Sequence, residues 1–455
     1  MTHTVTSMPD FINISGLITL SCEDVGTNYE VKVKGTTAPE RCPECGSVFF
    51  HKHGSADQSY MDTPMHGKRS LLEIARQRFK CQDCNKTFYE PLPCMDGKRQ
   101  ATKRLITYIE VRCMQETFVS LAREVGVDEK TVKHVFDDYV IRKKSEVQFK
   151  TPEILGIDEL KIIGDYRAML TDIDTLGVFD MLQSRKKAKL KEYFADLPDK
   201  QRVHTLVMDM WNPYRQLGRE VFPKKLIVVD KFHVLRMANE GLERVRMRVR
   251  KSLDDKTRIK LKDDRFTLLK RKNKLTEEQK IKTSKWFSLF PELGVAYEAK
   301  ERFFDIYVQP SRAKAELLAE QWAASLPTEV SKDFRPLQVA LGNWNREIFN
   351  YYEQPVTNAY TESVNGLTRV INRMGRGYSF EVLRARLLYN EQAIAGASTS
   401  IRKKIRKPKP SSEPNAFSLG RMITSSSEDE YEVTTTMHGA HLPTLIRLLE
   451  EGYFL

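Results

Sequence analysis

No run of apolar residues in this chain of 455 approaches the ~20 needed to span a bilayer. The opening stretch MTHTVTSMPDFINISG has no basic segment followed by an apolar one, so no secretory signal is expected. Acidic charge is in deficit: 61 Asp and Glu stand against 74 Lys and Arg, a net charge of +13. That surplus favours a polyanionic partner, nucleic acid being the usual one; a merely soluble basic protein is the plain alternative. Cysteine is scarce, at seven residues. Four of the seven form two CxxC pairs, which suits a reducing cytoplasm and bound metal better than a disulfide framework. Apolar residues are not scarce: 40% is enough for real cores, and the length suggests roughly two to four domains.

The CxxC pairs are CPECG, with Cys42 and Cys45, and KCQDCNKTF, with Cys81 and Cys84. Each pair puts two thiolates on one tight turn, and two such knuckles supply four sulfurs for one tetrahedral Zn²⁺. Between them YMDTPMHGKRSLLEIARQRFK alternates as a β-hairpin would. His51, His53 and His66 lie close enough in sequence to replace one sulfur. Cys22, Cys94 and Cys113 are isolated and read as ordinary packing. Residues 1–40 contain strand-like runs such as YEVKVKG and suggest no chemistry.

Residues 101–140 turn helical, with Leu105, Ile106, Ile109 and Cys113 at helical spacing. TFVSLAREVGVDEKTVKHVFDDYV then reads as helix–turn–helix. Val119, Leu121, Ala122 and Val125 would bury the first helix, Gly126 would make the turn, and Asp128 would cap the second. Val132, Val135 and Phe136 would bury that second helix. Lys130, Thr131, Lys133 and His134 then stand near its start, where a recognition helix meets DNA. A helical hairpin with no DNA role is the bland reading.

After a charged linker at residues 142–153, several short apolar runs end in Asp. LGIDELKI carries Asp158, VHTLVMDMW carries Asp209, and KKLIVVDKFHV carries Asp230 and His233. The reading is strands at 154–161, 166–174, 177–184, 203–209 and 225–230, with helices at 186–196 and 213–220. An antiparallel meander followed by parallel additions is the order of an RNase H-like fold. From His233 to about Glu353 the chain is helical and rich in Arg and Lys, a large all-α insertion. Its Trp286, Trp322 and Trp344 read as core rather than as base-stacking residues. In TNAYTESVNGLTRVINR, Asn358, Glu362 and Asn365 share one helix face, so Glu362 points at the sheet with amides on either side. Arg369, Arg373 and Arg376 follow as candidate DNA contacts. IRKKIRKPKPSSEP reads as a flexible basic linker, SSSEDEYE as an acidic stretch, and HLPTLIRLLEEGYFL as a short terminal helix.

Three acids on separate elements suit phosphodiester chemistry. Two Mg²⁺ ions, with Mn²⁺ as an alternative, activate an attacking oxygen and stabilise the leaving one, and carboxylates are their natural ligands. Asp158, Asp209 and Glu362 are the candidate catalytic set. Asp230 competes with Asp209 as the second acid. Asp230 and His233 are otherwise auxiliary, orienting a phosphate, a leaving group or the ligands. A buried structural histidine is the plain reading of His233.

In this order CPECG…CQDC, the helix–turn–helix, GIDE, VMDMWNPY, VVDKFHV and TNAYTESVNGLTRVINRMGRGYSF resemble bacterial DDE transposases of the ISL3 insertion-sequence family over about residues 40–390. The resemblance implies a multidomain α/β chain whose RNase H-like core holds a DDE triad at Asp158, Asp209 and Glu362. It also implies a D-x-x-H signature at Asp230 and His233. The expected layout is an N-terminal region with zinc ribbon at 1–95 and a helix–turn–helix domain at 96–145. The core would occupy 153–233 and 354–398 around an α-helical insertion at 234–353, with a basic linker and tail at 399–455. The implied reaction is cleavage at element ends and joining of 3′-hydroxyls to target DNA. The implied partners are double-stranded DNA, as terminal inverted repeats and as target, and further copies of the chain in a dimeric or larger synaptic complex. A cytoplasmic, nucleoid-associated location goes with this. One departure is Gly366, where the family pattern has asparagine. A transposase-derived DNA-binding regulator without catalysis is the rival from another class. A structure-selective nuclease is a third reading, one that gives no reason for two DNA-reading modules.

Overall fold

A computed structural model describes residues 12–147 and 149–390. The basic linker, acidic stretch and terminal helix read from the sequence after residue 398 lie outside the described residues. The chain divides into two compact units that meet in sequence at Gln148 and Phe149. No described helix is long and apolar enough to cross a membrane.

In the first unit, strands β1 (Leu17–Val25), β2 (Asn28–Gly35), β3 (Phe50–Met65), β4 (Lys68–Cys81) and β5 (Thr87–Tyr89) form one sheet. The order is β1-β2-β4-β3, with β5 on β4. The alternation in YEVKVKG buries Val31 and Val33 and exposes Lys32 and Lys34. Val31 and Val33 pack with Tyr60, Leu72 and Ile74 from β3 and β4. The β3–β4 hairpin expected between the CxxC pairs is present. It turns at His66 and Gly67, both at positive φ (49° and 78°), as a two-residue hairpin turn requires. The ribbon is larger than the sequence suggests, because the β1–β2 hairpin adds to it through parallel pairing of β2 with β4.

Helices α1 (Lys103–Arg112), α2 (Phe118–Val125) and α3 (Glu129–Glu146) follow. Gly126 takes φ 80° at the end of α2, and the Asp128 side chain accepts from Thr131 N at 2.9 Å to start α3. Leu121, Ala122, Val125, Val132, Val135 and Phe136 are buried as expected. Val119 is not: it is 48% exposed, on the solvent side of α2. In α2 the buried residues are Leu121, Ala122 and Val125, and position 119 falls on the other side of a helix of only eight residues.

The second unit holds β6 (Ile154–Ile162), β7 (Asp165–Asp172), β8 (Gly177–Leu182), β9 (Thr205–Met208) and β10 (Leu226–Val229) in the order β10-β9-β6-β7-β8. β6, β7 and β8 are an antiparallel meander, and β9 and β10 join in parallel. Helices α4 (Lys187–Ala195) and α5 (Asn212–Val221) connect the later strands. With the flanking helices this is the mixed sheet of an RNase H-like core. Then α6 (Lys231–Lys251) runs without interruption into an all-helical region. That region comprises α7 (Asp255–Asp263), α8 (Arg265–Leu269), α9 (Glu277–Leu289), α10 (Pro291–Phe304), α11 (Arg312–Ala324) and α12 (Thr328–Phe349). Trp286, Trp322 and Trp344 are buried in its core. The chain returns to the sheet as α13 (Ala359–Met374) and α14 (Phe380–Tyr389).

The pleat of β6 sorts its residues by face. Leu155 and Ile157 join the core that contains Leu190 of α4 and Leu217 of α5. Leu160 and Ile162 pack with Tyr360, Val364 and Leu383 of α13 and α14. Asp158 has the parity of Leu160 and so belongs to the α13 face, whereas Glu159 belongs to the other. Gly156 lets α13 lie close: a Cβ there would meet Thr171 Oγ1 at 2.5 Å and Thr361 Oγ1 at 2.7 Å. Those two hydroxyls bond to each other at 2.6 Å.

Candidate active site and metal centre

The acidic residues gather at the carboxyl ends of β9 and β10 and just past Ile157, where the parallel pairing of β6 with β9 stops. Asp158 sits within β6, Asp209 directly follows β9, and Asp230 directly follows β10 as the N-cap of α6. The Asp230 side chain accepts from Phe232 N, and this cap starts the helix whose first turn presents His233. His233 Nε2 lies 2.9 Å from Asp209 Oδ2, and its Nδ1 lies 3.4 Å from Asp230 Oδ2 and 3.9 Å from Glu362 Oε1. One ligand atom each from Asp209, Asp230 and His233 fall within 4.8 Å of one another.

α13 delivers the rest. Asn358 Nδ2 donates to Ile157 O at 3.1 Å, and Asn365 Nδ2 donates to Asp158 Oδ2 at 2.7 Å. The two amides therefore grip adjacent residues of β6, and Glu362 lies between them on the same helix face. Glu362 Oε1 is also 3.4 Å from the guanidinium of Arg236. Arg236 was not singled out from the sequence; its spacing of three from His233 along α6 is the signal that could have found it. At Gly366 a side chain would reach open space, so the departure from the family pattern leaves no gap in packing.

The electrostatics match a cation site. Burial, then the charge of Asp209, pushes Asp158 up to about 8. Burial, then Asp230, also raises Glu362. For His233 burial works downward, but the carboxylates of Asp209 and Asp230 outweigh it and lift the imidazole to about 10. Crowded carboxylates away from water are held by positive charge or are not held ionised at all. Asp209 Oδ1 is buried with no hydrogen-bond partner among the described residues. An orphaned carboxylate oxygen and an all-oxygen acid set suit Mg²⁺ or Mn²⁺.

The second centre is in the first unit. Cys42 Sγ lies 3.7 Å from Cys84 Sγ, and Cys45 Sγ lies 3.6 Å from Cys81 Sγ; all four cysteines are free. The edge of a tetrahedron with ~2.3 Å Zn–S bonds is about 3.8 Å. Each knuckle is closed by a residue at positive φ directly after its second cysteine, Gly46 at 76° and Asn85 at 58°. Hydrogen bonds from the backbone at Cys84 pull Cys81 down to about 7. A Ser47 backbone bond opposes the shift at Cys45, yet desolvation and the neighbouring sulfurs push that thiol up to about 12. Four sulfurs this close become four thiolates only around a cation, and the set fits structural zinc. His51, His53 and His66 are not part of the cluster.

Of the candidate DNA contacts, Lys130, Lys133 and His134 are exposed on α3. Lys133 pairs with Asp137 at 2.5 Å. Thr131 is half-buried, and its hydroxyl donates to Asp128 Oδ2 at 2.7 Å as part of the cap. Arg369, Arg373 and Arg376 are exposed.

Comparison with known proteins agrees with these modules. Residues 155–387 match the ISL3-type DDE transposase family. Residues 38–84 match the zinc finger of the transposases of IS204, IS1001, IS1096 and IS1165. Residues 90–140 match the helix–turn–helix domain of the ISL3 transposase family. A transposase for insertion sequence element IS1001 from Bordetella parapertussis is 22% identical over 363 residues, covering 78% of this chain and 89% of that protein.

Proposed function

The chain belongs to the ISL3 family of DDE transposases, and on that premise we propose that it cuts DNA at the ends of its own insertion sequence and joins the freed 3′-hydroxyls to target DNA. The observation that supports this reading is the cluster of Asp209, Asp230 and Glu362 around His233, with Asp158 on the adjacent strand close enough to feel the charge of Asp209 and Glu362. The α3 helix and the zinc ribbon would read the terminal inverted repeats. Two ends must be cut and joined together, so a dimer or larger assembly on DNA follows.

Asp158, Asp209 and Glu362 would hold the divalent cations, with Asp158 the most rigidly mounted of the three because β6 is the sheet's central strand. The bound ions would supply an activated nucleophile and neutralise charge on the leaving oxygen. The protein's own part is positioning. Asn365 fixes one oxygen of Asp158, and His233 spans Asp209 and Asp230. Arg236 balances Glu362. Asp230 stands as close to His233 and Asp209 as a ligand would, so it is the rival for the second acid.

The test is a cleavage assay with Mg²⁺ and DNA carrying the element ends. Asp158→Ala and Glu362→Ala should abolish cutting and keep end binding. Persistent cutting in both would overturn the triad. Asp209→Asn against Asp230→Asn, read by metal-dependent cleavage, identifies the second acid. If the intact chain binds ends and never cuts them, the protein is a DNA-binding regulator instead.

A further inference from the structure

Helix α6 carries arginines of two kinds. Arg246 bonds both oxygens of Glu243, at 2.7 and 3.0 Å, and Arg248 reaches Glu292 at 2.8 Å and Asp333 at 2.5 Å. Short, multiple contacts of this sort are what a guanidinium makes when its task is structural. Arg236 is bound differently. A single nitrogen, Nη2, lies 3.4 Å from Glu362 Oε1, and no other acid pairs with it among the described residues. Its Nη1 lies 3.4 Å from His233 Nε2, but that nitrogen is already 2.9 Å from Asp209 Oδ2. A ring N–H that donates to a carboxylate has no lone pair left to accept from a guanidinium. The fork of Arg236 is therefore almost uncommitted, although it stands beside two members of the cluster.

Exposure rises outward through these residues. The Asp230 side chain is fully buried, Asp209 and His233 are each 21% exposed, Glu362 is 22% exposed, and Arg236 is 45% exposed. Arg236 thus occupies the rim. It follows His233 by three residues along α6, so the two side chains share one side of that helix. Asp209, Asp230 and Glu362 crowd negative charge within the pocket, and a phosphodiester brings more. A guanidinium at the entrance offsets that repulsion, because it is always charged and its planar fork of N–H donors matches a phosphate. A second exposed arginine, Arg369, recurs seven residues after Glu362 on α13, so the side of α13 that presents Glu362 continues as a basic one.

We propose that Arg236 is a DNA-binding residue of the cleavage site: its guanidinium leaves its single long contact with Glu362 and takes a backbone phosphate beside the bond that is cut. The inference rests on the assignment of this acid cluster as the site of DNA cleavage. Arg236 then holds the strand to be cut at the pocket without itself being a cation ligand.

Phosphate interference with the full-length protein tests this. Duplexes carrying an element end, each with one phosphate near the cut replaced by an uncharged methylphosphonate, are bound by wild type and by Arg236→Ala, and affinity is read by fluorescence anisotropy. Wild type should lose about tenfold at one position flanking the cleaved bond, the loss expected for one charge-assisted hydrogen bond. Arg236→Ala should already bind natural DNA about tenfold more weakly and should lose nothing further at that position, while the other positions keep their effects. Arg236→Lys keeps the charge without the fork, so it should recover part of the affinity. The melting temperature of both variants should match wild type, because the contact that is lost is single and long. The proposal is overturned if wild type is insensitive at every flanking position, or if Arg236→Ala keeps the wild-type pattern; should the alanine variant not fold, full wild-type affinity and pattern in Arg236→Lys overturn it equally. A lowered melting temperature with the wild-type pattern retained would show a structural arginine instead. Asp158→Ala separates this inference from the reading beneath it. If that variant still cuts, the cluster is not the cleavage site. If it stops cutting while Arg236→Ala keeps the wild-type pattern, only the role of Arg236 fails.

Discussion

Asn365 donates from Nδ2 to Asp158 Oδ2 at 2.7 Å, joining residues 207 positions apart in the chain. Both are buried, and the bond is a contact by which the returning helix α13 engages the central strand. Asn365→Ala should lower stability by about 1–3 kcal/mol, the usual cost of unpairing a buried group. It should also depress cleavage, because Asp158 loses the amide that orients it. Asn365→Asp should be worse, since a second carboxylate would face Asp158. Urea unfolding together with single-turnover cleavage checks this; wild-type behaviour of both variants would show that the bond is incidental.

The acidic pocket makes stability depend on pH in a definite direction. Asp158 has a folded pKa of about 8 against an ordinary 3.8, so the folded state binds the extra proton between those values. Stability therefore falls as pH rises from about 4 toward 8. His233 is raised from 6.5 to about 10, and its contribution is full below 6.5 and lost as pH passes through about 10. Both slopes have the same sign. Melting temperature in chelator should decline from mildly acidic to alkaline pH, and Mg²⁺ should flatten the decline by neutralising the carboxylates. A flat profile in chelator would contradict the crowded-acid picture.

Zinc should be needed by one end of the ribbon more than by the other. Cys42→Ser should remove one equivalent of zinc and loosen the two knuckles. The far end of the β3–β4 hairpin keeps its own apolar contacts, among them Tyr60, Leu72 and Ile74. Hydrogen exchange should rise sharply around Cys42 to Cys45 and Cys81 to Cys84 and little around Leu72. An unchanged zinc content after the substitution rules out the four-cysteine assignment.

Lys133→Ala tests the DNA-reading helix. Loss of one phosphate contact should weaken binding to all sequences alike and lower the slope of log affinity against log salt by about 1. An unaltered slope with normal affinity would place the DNA on another face.

Much of this was legible because apolar runs that end in Asp advertise a parallel sheet with acids at its carboxyl edge. The helix–turn–helix was equally plain, since Gly126 and Asp128 are local devices whose backbone geometry follows from their own chemistry. The exposure of Val119 was not, because a short amphipathic pattern leaves one apolar residue free to fall on either side. Periodicity placed Asn358, Glu362 and Asn365 on one face but could not name Ile157 and Asp158 as what the amides would hold. The addition of β1 and β2 to the ribbon depends on parallel pairing between residues such as Asn28 and Arg69, far apart in the chain, for which no turn residue speaks. Nothing in the run LGIDE marks Gly156 out, and only the approach of Thr171 and Thr361 reveals why a side chain is excluded there.

Helix α6 begins at the cap made by Asp230 and ends 21 residues later among the insertion helices. At 1.5 Å per residue it is a strut about 30 Å long. It is seated against α12 at Gly241, where a Cβ would come within 2.6 Å of Phe334. The histidine of the pocket and the far helices are thus mounted on a single beam. A truncated enzyme trimmed at residue 234 would saw through that beam one residue past His233, so any minimal catalytic fragment has to retain the whole of α6 and the surface on which it rests.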